Sequence, residues 1–160
     1  MSFDEIEKSR QRGSGEQSFL FRYGPNSDDV RGLTTAAEDF TVDLPVFGET
    51  SFEAVPIFMS AIVDTGSRER SSVTISLPDT DPLIDLFRDY PPSYVVGVTV
   101  FEHHAGDGEL RVVWSGKVLS YNSGDYDAEL RCEPIQSSLQ RPGLRRRWQR
   151  SCPHALYSTA

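Results

Sequence analysis

Over residues 17–23 polar and apolar positions alternate, placing Phe19, Phe21 and Tyr23 on one side as a half-buried strand requires. Gly24-Pro25-Asn26-Ser27 then predicts a turn. The same alternation returns over 71–77, with Val73, Ile75 and Leu77 facing together. It returns again over 126–133, where Tyr126, Ala128, Leu130 and Cys132 share one face and Asp127, Glu129, Arg131 and Glu133 the other. Residues 94–102 are rich in β-branched side chains, and Ala105-Gly106-Asp107-Gly108 is a strong turn signal. A long strand comes next over 109–121, in which Gly116 marks a bulge, and Asn122-Ser123-Gly124-Asp125 turns the chain back. These last three strands predict an antiparallel meander.

One internal segment has helical spacing. Asp81 is a good N-cap, Pro82 suits the first helical position, and Leu83, Leu86, Phe87 and Tyr90 fall at i, i+3, i+4 and i+7. Pro91-Pro92 stops the helix. At the N-terminus, Ser2 and Glu5 can form a capping box for a short polar helix to about Arg10, which Gly13-Ser14-Gly15 breaks. Residues 28–50 carry a weaker pattern: Phe40-Thr41-Val42 reads as a short strand, and Pro45 and Gly48 punctuate the stretch after it. Residues 54–63 are apolar enough for a strand, but Pro56 forces it to an edge or a bulge. The chain therefore reads as mainly β, a small antiparallel β-barrel or sandwich over residues 1–134. One internal amphipathic helix plugs or flanks it, and an extended arm occupies 135–160.

Charge separates these two parts. Residues 131–160 hold six arginines and one acid, a net of +5, which leaves ten basic and 23 acidic groups, a net of −13, on the other 130 residues. The shift predicts an acidic body followed by a basic arm with a different task, leading into a further domain. An overall charge of −8 argues against a nucleic-acid-binding body. Two cysteines are too few for a disulfide framework or a four-cysteine metal site. The sequence predicts neither a secretion signal nor a membrane span, since its longest apolar run is well short of the roughly 20 residues that a helix needs.

Candidate chemistry is sparse. Most acids alternate with apolar residues or sit in turns, so they read as a solvated face. His103-His104 borders a turn, and adjacent histidines on a strand point to opposite faces, so a surface turn is favoured over a shared metal. Asp64-Thr65-Gly66 matches the tripeptide of aspartic proteases, but it occurs once and lies in a charged loop. Cys132 reads as a small buried hydrophobe. In the arm, Arg145, Arg146, Arg147, Trp148 and Arg150 could clamp phosphate or stack on a base, which would make the protein a small-ligand or nucleic-acid-binding β-barrel. Docking on the acidic surface of a neighbouring subunit is the more economical reading. Cys152, after the basic stretch and before Pro153-His154, is a candidate thiolate ligand without visible partners.

Taken in order, several segments resemble a known family: Ser2 to Glu7, Phe19-Leu20-Phe21-Arg22-Tyr23, Leu77-Pro78-Asp79-Thr80-Asp81-Pro82-Leu83, Trp114-Ser115-Gly116-Lys117-Val118 and Cys132-Glu133-Pro134. The most specific is the closing run from Arg147 through Cys152-Pro153-His154-Ala155-Leu156-Tyr157. Together they resemble the phage BR0599 (DUF2163-like) tail-tip or baseplate hub family, similar in role to the minor tail protein L of lambda-like phages. The resemblance implies a non-enzymatic virion protein with β-barrel hub domains, assembled in the host cytoplasm. It would be a trimer contacting the distal tail protein, the central fibre or hub protein and the tape measure protein, with no membrane and no specific nucleic acid. It also implies that Cys152 matches the first ligand of an iron–sulfur element whose next cysteine would come after Tyr157. The chain stops at Ala160, so the expectation is either a fragment of a longer protein or a member without the cluster. A [4Fe–4S] cluster needs four thiolates, and none is expected on residues 1–160 alone.

Overall fold

A computed structural model describes residues 15–24, 29–62, 72–90, 92–104 and 109–135 of the protein. In these, nine strands form one mixed sheet and one helix packs against it. The strands are β1 (Glu16–Arg22), β2 (Val30–Thr34), β3 (Phe40–Leu44), β4 (Gly48–Ala54), β5 (Phe58–Met59), β6 (Val73–Pro78), β7 (Gly97–His103), β8 (Arg111–Ser123) and β9 (Asp127–Pro134), with helix α1 (Pro82–Arg88) between β6 and β7. The order across the sheet is β3-β4-β2-β1-β7-β8-β9-β6-β5. Its two ends do not pair, so of the two architectures expected the sheet is sandwich-like and not a closed barrel.

The meander β7-β8-β9 is present as expected, fully antiparallel. The all-antiparallel expectation fails at one place. β2 and β4 run parallel, Gly32 opposite Phe52 and Thr34 opposite Ala54, because β3 carries the chain to the outer edge and β4 returns between β3 and β2. The β3–β4 reversal uses Pro45 after Leu44, a Phe47 N–H bond to the Leu44 carbonyl of 3.2 Å, and Gly48 at φ 71°, a conformation that glycine adopts without penalty.

One face of the sheet wraps around the main core. Phe19 and Phe21 of β1, Leu33 of β2, Val73, Ile75 and Leu77 of β6, Val98 and Val100 of β7, and Ala128, Leu130 and Cys132 of β9 are all buried there. Helix α1 covers this core with Leu83 and Ile84, and each such side chain contributes about 1.5–3 kcal/mol on leaving water. Leu86 and Phe87 pack partly against it, but Tyr90 lies beyond the last turn and is 83% exposed, which corrects its place on the buried face. Tyr126 is likewise exposed, since β9 begins only at Asp127. A smaller cluster forms on the opposite face from Leu20, Leu44, Phe52 and Phe101, flanked by Phe40, Val42 and Phe47.

Two other expectations are corrected, and the edge position expected of the strand at Pro56 is met by a shorter strand. The ladder irregularities of β8 lie between Val100 and Phe101 on its β7 side and between Val118 and Ser120 on its β9 side, not at Gly116. Gly116 is instead needed for space: a Cβ there would collide with the Trp114 ring and the Glu133 carbonyl. Within 54–63 the strand is interrupted around Pro56, leaving Ala54 as the end of β4 and the two residues of β5 at the sheet edge. The strand expected from residue 94 starts at Gly97, and Tyr94 and Val95 are exposed. The N-terminal helix, the Asp64-Thr65-Gly66 tripeptide, the turn at 105–108 and the whole arm after Ile135 lie outside the described residues.

Candidate functional site

Two polar constellations stand out against this framework. The first centres on Arg31. Its place on β2 puts it beside β4, and Nη1 lies 2.7 Å from Oε2 of Glu53 while Nη2 lies 3.1 Å from Oδ2 of Asp81. Asp81 is the N-cap of α1, and its Oδ1 accepts the Leu83 N–H at 2.8 Å. Burial of the guanidinium works against its charge, but the bonds and attraction from Asp81 and then Glu53 outweigh it, and the Arg31 pKa is raised. Beside Arg31 an open groove of ≈ 320 Å³ runs between β2 and β4, lined among others by Val30, Phe47, Glu49, Thr50 and Glu53. With Arg31 already held by two carboxylates, the groove offers an anion little. Asp81 is the N-cap that the sequence predicts, and it is buried where most acids lie in the solvent.

The second constellation corrects the histidines. Both His103 and His104 are buried, not displayed on a surface turn. β7 runs through to His103, and its pairing with β1 sets this residue opposite Glu16. The ring Nε2 lies 2.9 Å from Ser18 Oγ, Ser18 donates to Thr34 Oγ1 at 3.0 Å, and Glu16 Oε2 is 3.7 Å from Nδ1. Carboxylate, imidazole and hydroxyl in line are the ingredients of a nucleophilic relay. Here, however, Ser18 is 0% exposed, so no substrate carbonyl reaches its oxygen, and the series serves to tie β1, β2 and β7 together. Burial lowers the His103 pKa, with Glu16 opposing the shift.

The outer edge of the sheet has a different character. From residue 32 to residue 67 the sequence has no lysine, arginine or histidine. Glu38, Asp39, Asp43, Glu49 and Glu53 of this stretch are all exposed. Asp43 of β3 sits directly opposite Glu49 of β4, and facing like charges disfavour the pair.

Neither the arm residues Arg145, Arg146, Arg147, Trp148 and Arg150 nor Cys152 falls within the described residues. Among those that do, no group of three or more His, Cys, Asp or Glu side chains is placed to hold a metal. Cys132 is wholly enclosed by the core, and burial pushes its thiol up to about 12. No helix among the described residues is long and apolar enough to cross a membrane.

The sequence reading missed Arg31 and Ser18, and it placed His103 on a surface turn. Each finds its partners through pairings that span the chain, 50 residues from Arg31 to Asp81 and 85 from Ser18 to His103, and no local spacing signals them.

The chain matches no protein-family model. It is similar to an uncharacterised protein of Xylella fastidiosa (strain 9a5c), 29% identical over 171 residues, an alignment covering 99% of this chain and 34% of the relative. The chain thus spans about a third of the length of this curated relative.

Proposed function

We propose that the protein is a structural virion subunit of a long-tailed phage. In this reading it is a tail-tip or baseplate hub component that joins the tail tube or distal tail ring to the central receptor-binding apparatus. The observation that carries it is the ordered set of segments from Phe19 to Tyr157, closing on Cys152-Pro153-His154-Ala155-Leu156-Tyr157. The segregation of charge supports it physically: an acidic β-rich body and an arginine-rich arm suit subunits that interlock around an axis. A trimer is the proposed assembly, with the distal tail protein, the central hub or fibre protein and the tape measure protein as neighbours. The role is non-enzymatic. Cys152 is the proposed cluster ligand of a longer chain, with the remaining thiolates supplied from outside these residues.

The test is incorporation. Tails assembled in an infected or induced host carrying a tagged copy should contain the protein at the tip, and tails made without it should fail to adsorb. Its absence from purified particles, with infectivity intact after deletion, would overturn the reading. Anaerobic purification of the complete reading frame tests the cluster separately. A visible charge-transfer band lost in Cys152→Ser supports the cluster, and a colourless protein removes it while leaving the hub role standing.

A further inference from the structure

The two outer edges of the sheet are not alike. At one end β5 has only two residues and comes just after Pro56, the kind of short, proline-flanked strand that resists further pairing. At the other end β3 is five residues long, pairs in unbroken register with β4 on its inner side, and has no partner on its outer side among the described residues. Natural edges are usually blunted by lysine, proline or a bulge. The strand from Phe40 to Leu44 has no lysine, proline or bulge within it, although Pro45 follows it directly and Asp43 is its one charge, so its backbone groups are a template for a strand that brings cations.

The faces of this edge specify what would add to it. Thr41 and Asp43 point to one face together with Glu49 and Ser51 of β4, all exposed. Phe40 and Val42 point to the other and are only partly covered. A strand added beside β3 must therefore present cations to one face and apolar groups to the other, with a period of two. The arm has this pattern at four of five positions, Arg146 falling on the otherwise apolar side. In Leu144-Arg145-Arg146-Arg147-Trp148, alternation puts Arg145 and Arg147 on one side and Leu144 and Trp148 on the other, with Arg146 between them.

We propose that the outer edge of β3 is the docking site for the arginine-rich segment 144–148 of a second copy of this chain, which adds as a further strand and sets Arg145 and Arg147 against Asp43 and Glu49. The proposal rests on the hub-assembly reading and names the contact through which subunits join. Guanidinium groups between the two carboxylates would relieve the repulsion of the Asp43–Glu49 pair and match carboxylates with a two-pronged hydrogen bond. Reach favours a second copy over the chain's own arm. β9, where the chain leaves the sheet, stands six strands from β3 in the sheet order, roughly 29 Å along the sheet at about 4.8 Å a step. Ile135 and Leu144 are nine Cα–Cα steps apart, about 30–32 Å when fully extended, so the chain's own arm would reach this edge along the sheet only when nearly straight.

The test is light scattering coupled to size exclusion on the whole 160-residue chain under reducing conditions. Wild-type chain should associate, and association should weaken as salt rises from about 0.05 to about 0.5 M. Asp43→Lys/Glu49→Lys and Arg145→Glu/Arg147→Glu should each lose the associated species. An equimolar mixture of the two double variants should regain association, as even-numbered species in which the two alternate, because each arm then meets an edge of opposite charge only on the other variant. The arm variant changes no residue of the sheet, so its loss of association cannot be attributed to a misfolded edge. A wild-type chain that stays monomeric overturns the contact. So does association that neither reversal changes, while the hub role, tested by particle incorporation, would survive that result. A mixture that stays monomeric while the fourfold variant behaves as wild type places the contact within one chain and overturns the second-copy assignment.

Discussion

Arg31 and Asp81 are 50 residues apart in the chain and 3.1 Å apart in the fold. The carboxylate of Asp81 does two things at once, closing the first turn of α1 through Leu83 and receiving the guanidinium of β2. Its side chain is 3% exposed, whereas Glu53, the other partner of Arg31, is half exposed. The inner pair therefore anchors the helix to the sheet, and the outer pair adds little because solvent screens it.

Removing either member of the inner pair should unfold the protein more easily. Asp81→Ala loses both the cap and the partner of a partly buried cation, and is expected to cost about 3 kcal/mol. Asp81→Asn keeps an oxygen for the Leu83 N–H and should cost less. Glu53→Gln should stay within about 0.5 kcal/mol of wild type. Urea melts of the three variants check the ranking; a Glu53 effect equal to that of Asp81 would show that the pairs are not partitioned by burial.

Acid should weaken the fold through His103. Burial lowers its pKa in the native state, while the unfolded chain keeps the ordinary value of about 6.5. Between those two values the unfolded state binds more protons, so stability rises with pH through the window and is lost as pH falls through it. Glu16, 3.7 Å away, opposes the shift without reversing it. Urea midpoints measured from about pH 5 to about pH 7.5 should rise, and His103→Gln should flatten that limb of the curve. An unchanged slope in the variant would move the titration to another group.

Gly116 should not tolerate even a methyl group. The Trp114 ring lies across it and the Glu133 carbonyl closes the other side, both too near for a Cβ. Backbone cannot yield as a flexible side chain does, so Gly116→Ala is expected to cost about 1–3 kcal/mol or more, as overpacking does. Pairing it with Trp114→Leu should recover part of that loss. Thermal melts of the single and double variants measure the coupling, and additive effects would mean that the carbonyl alone sets the limit.

The parts of the fold legible in the sequence were those where pattern and burial share one cause. Val73, Ile75 and Leu77 alternate because a single face of β6 is buried, and Ala128, Leu130 and Cys132 do the same in β9. Asp81-Pro82 announced α1 because capping is local chemistry. β2 was illegible because Gly32 sits inside it, where a Cβ would strike the backbone of Ser51 on the parallel strand β4. That glycine weakens the strand signal for a reason visible only in three dimensions. Tyr90 and Tyr126 kept the right period but lay outside the ends of the packed elements. The histidines erred the other way: a polar pair next to a turn signal looks exposed until Glu16 and Ser18 arrive from the far end of the chain.

Cys132 should be chemically silent in the folded protein. With its thiol pushed up to about 12 by burial, only about one molecule in ten thousand is thiolate at pH 8, and the core leaves a reagent no approach. Iodoacetamide should therefore leave the peptide containing Cys132 unmodified in native protein and label it fully in urea, as peptide mass spectrometry can read. The label should appear in step with global unfolding, because the side chain sits where β6, β8 and β9 meet. Labelling at low urea, before the main transition, would mean that β9 separates from β6 on its own, and that the sheet's last strands form a unit less stable than the rest.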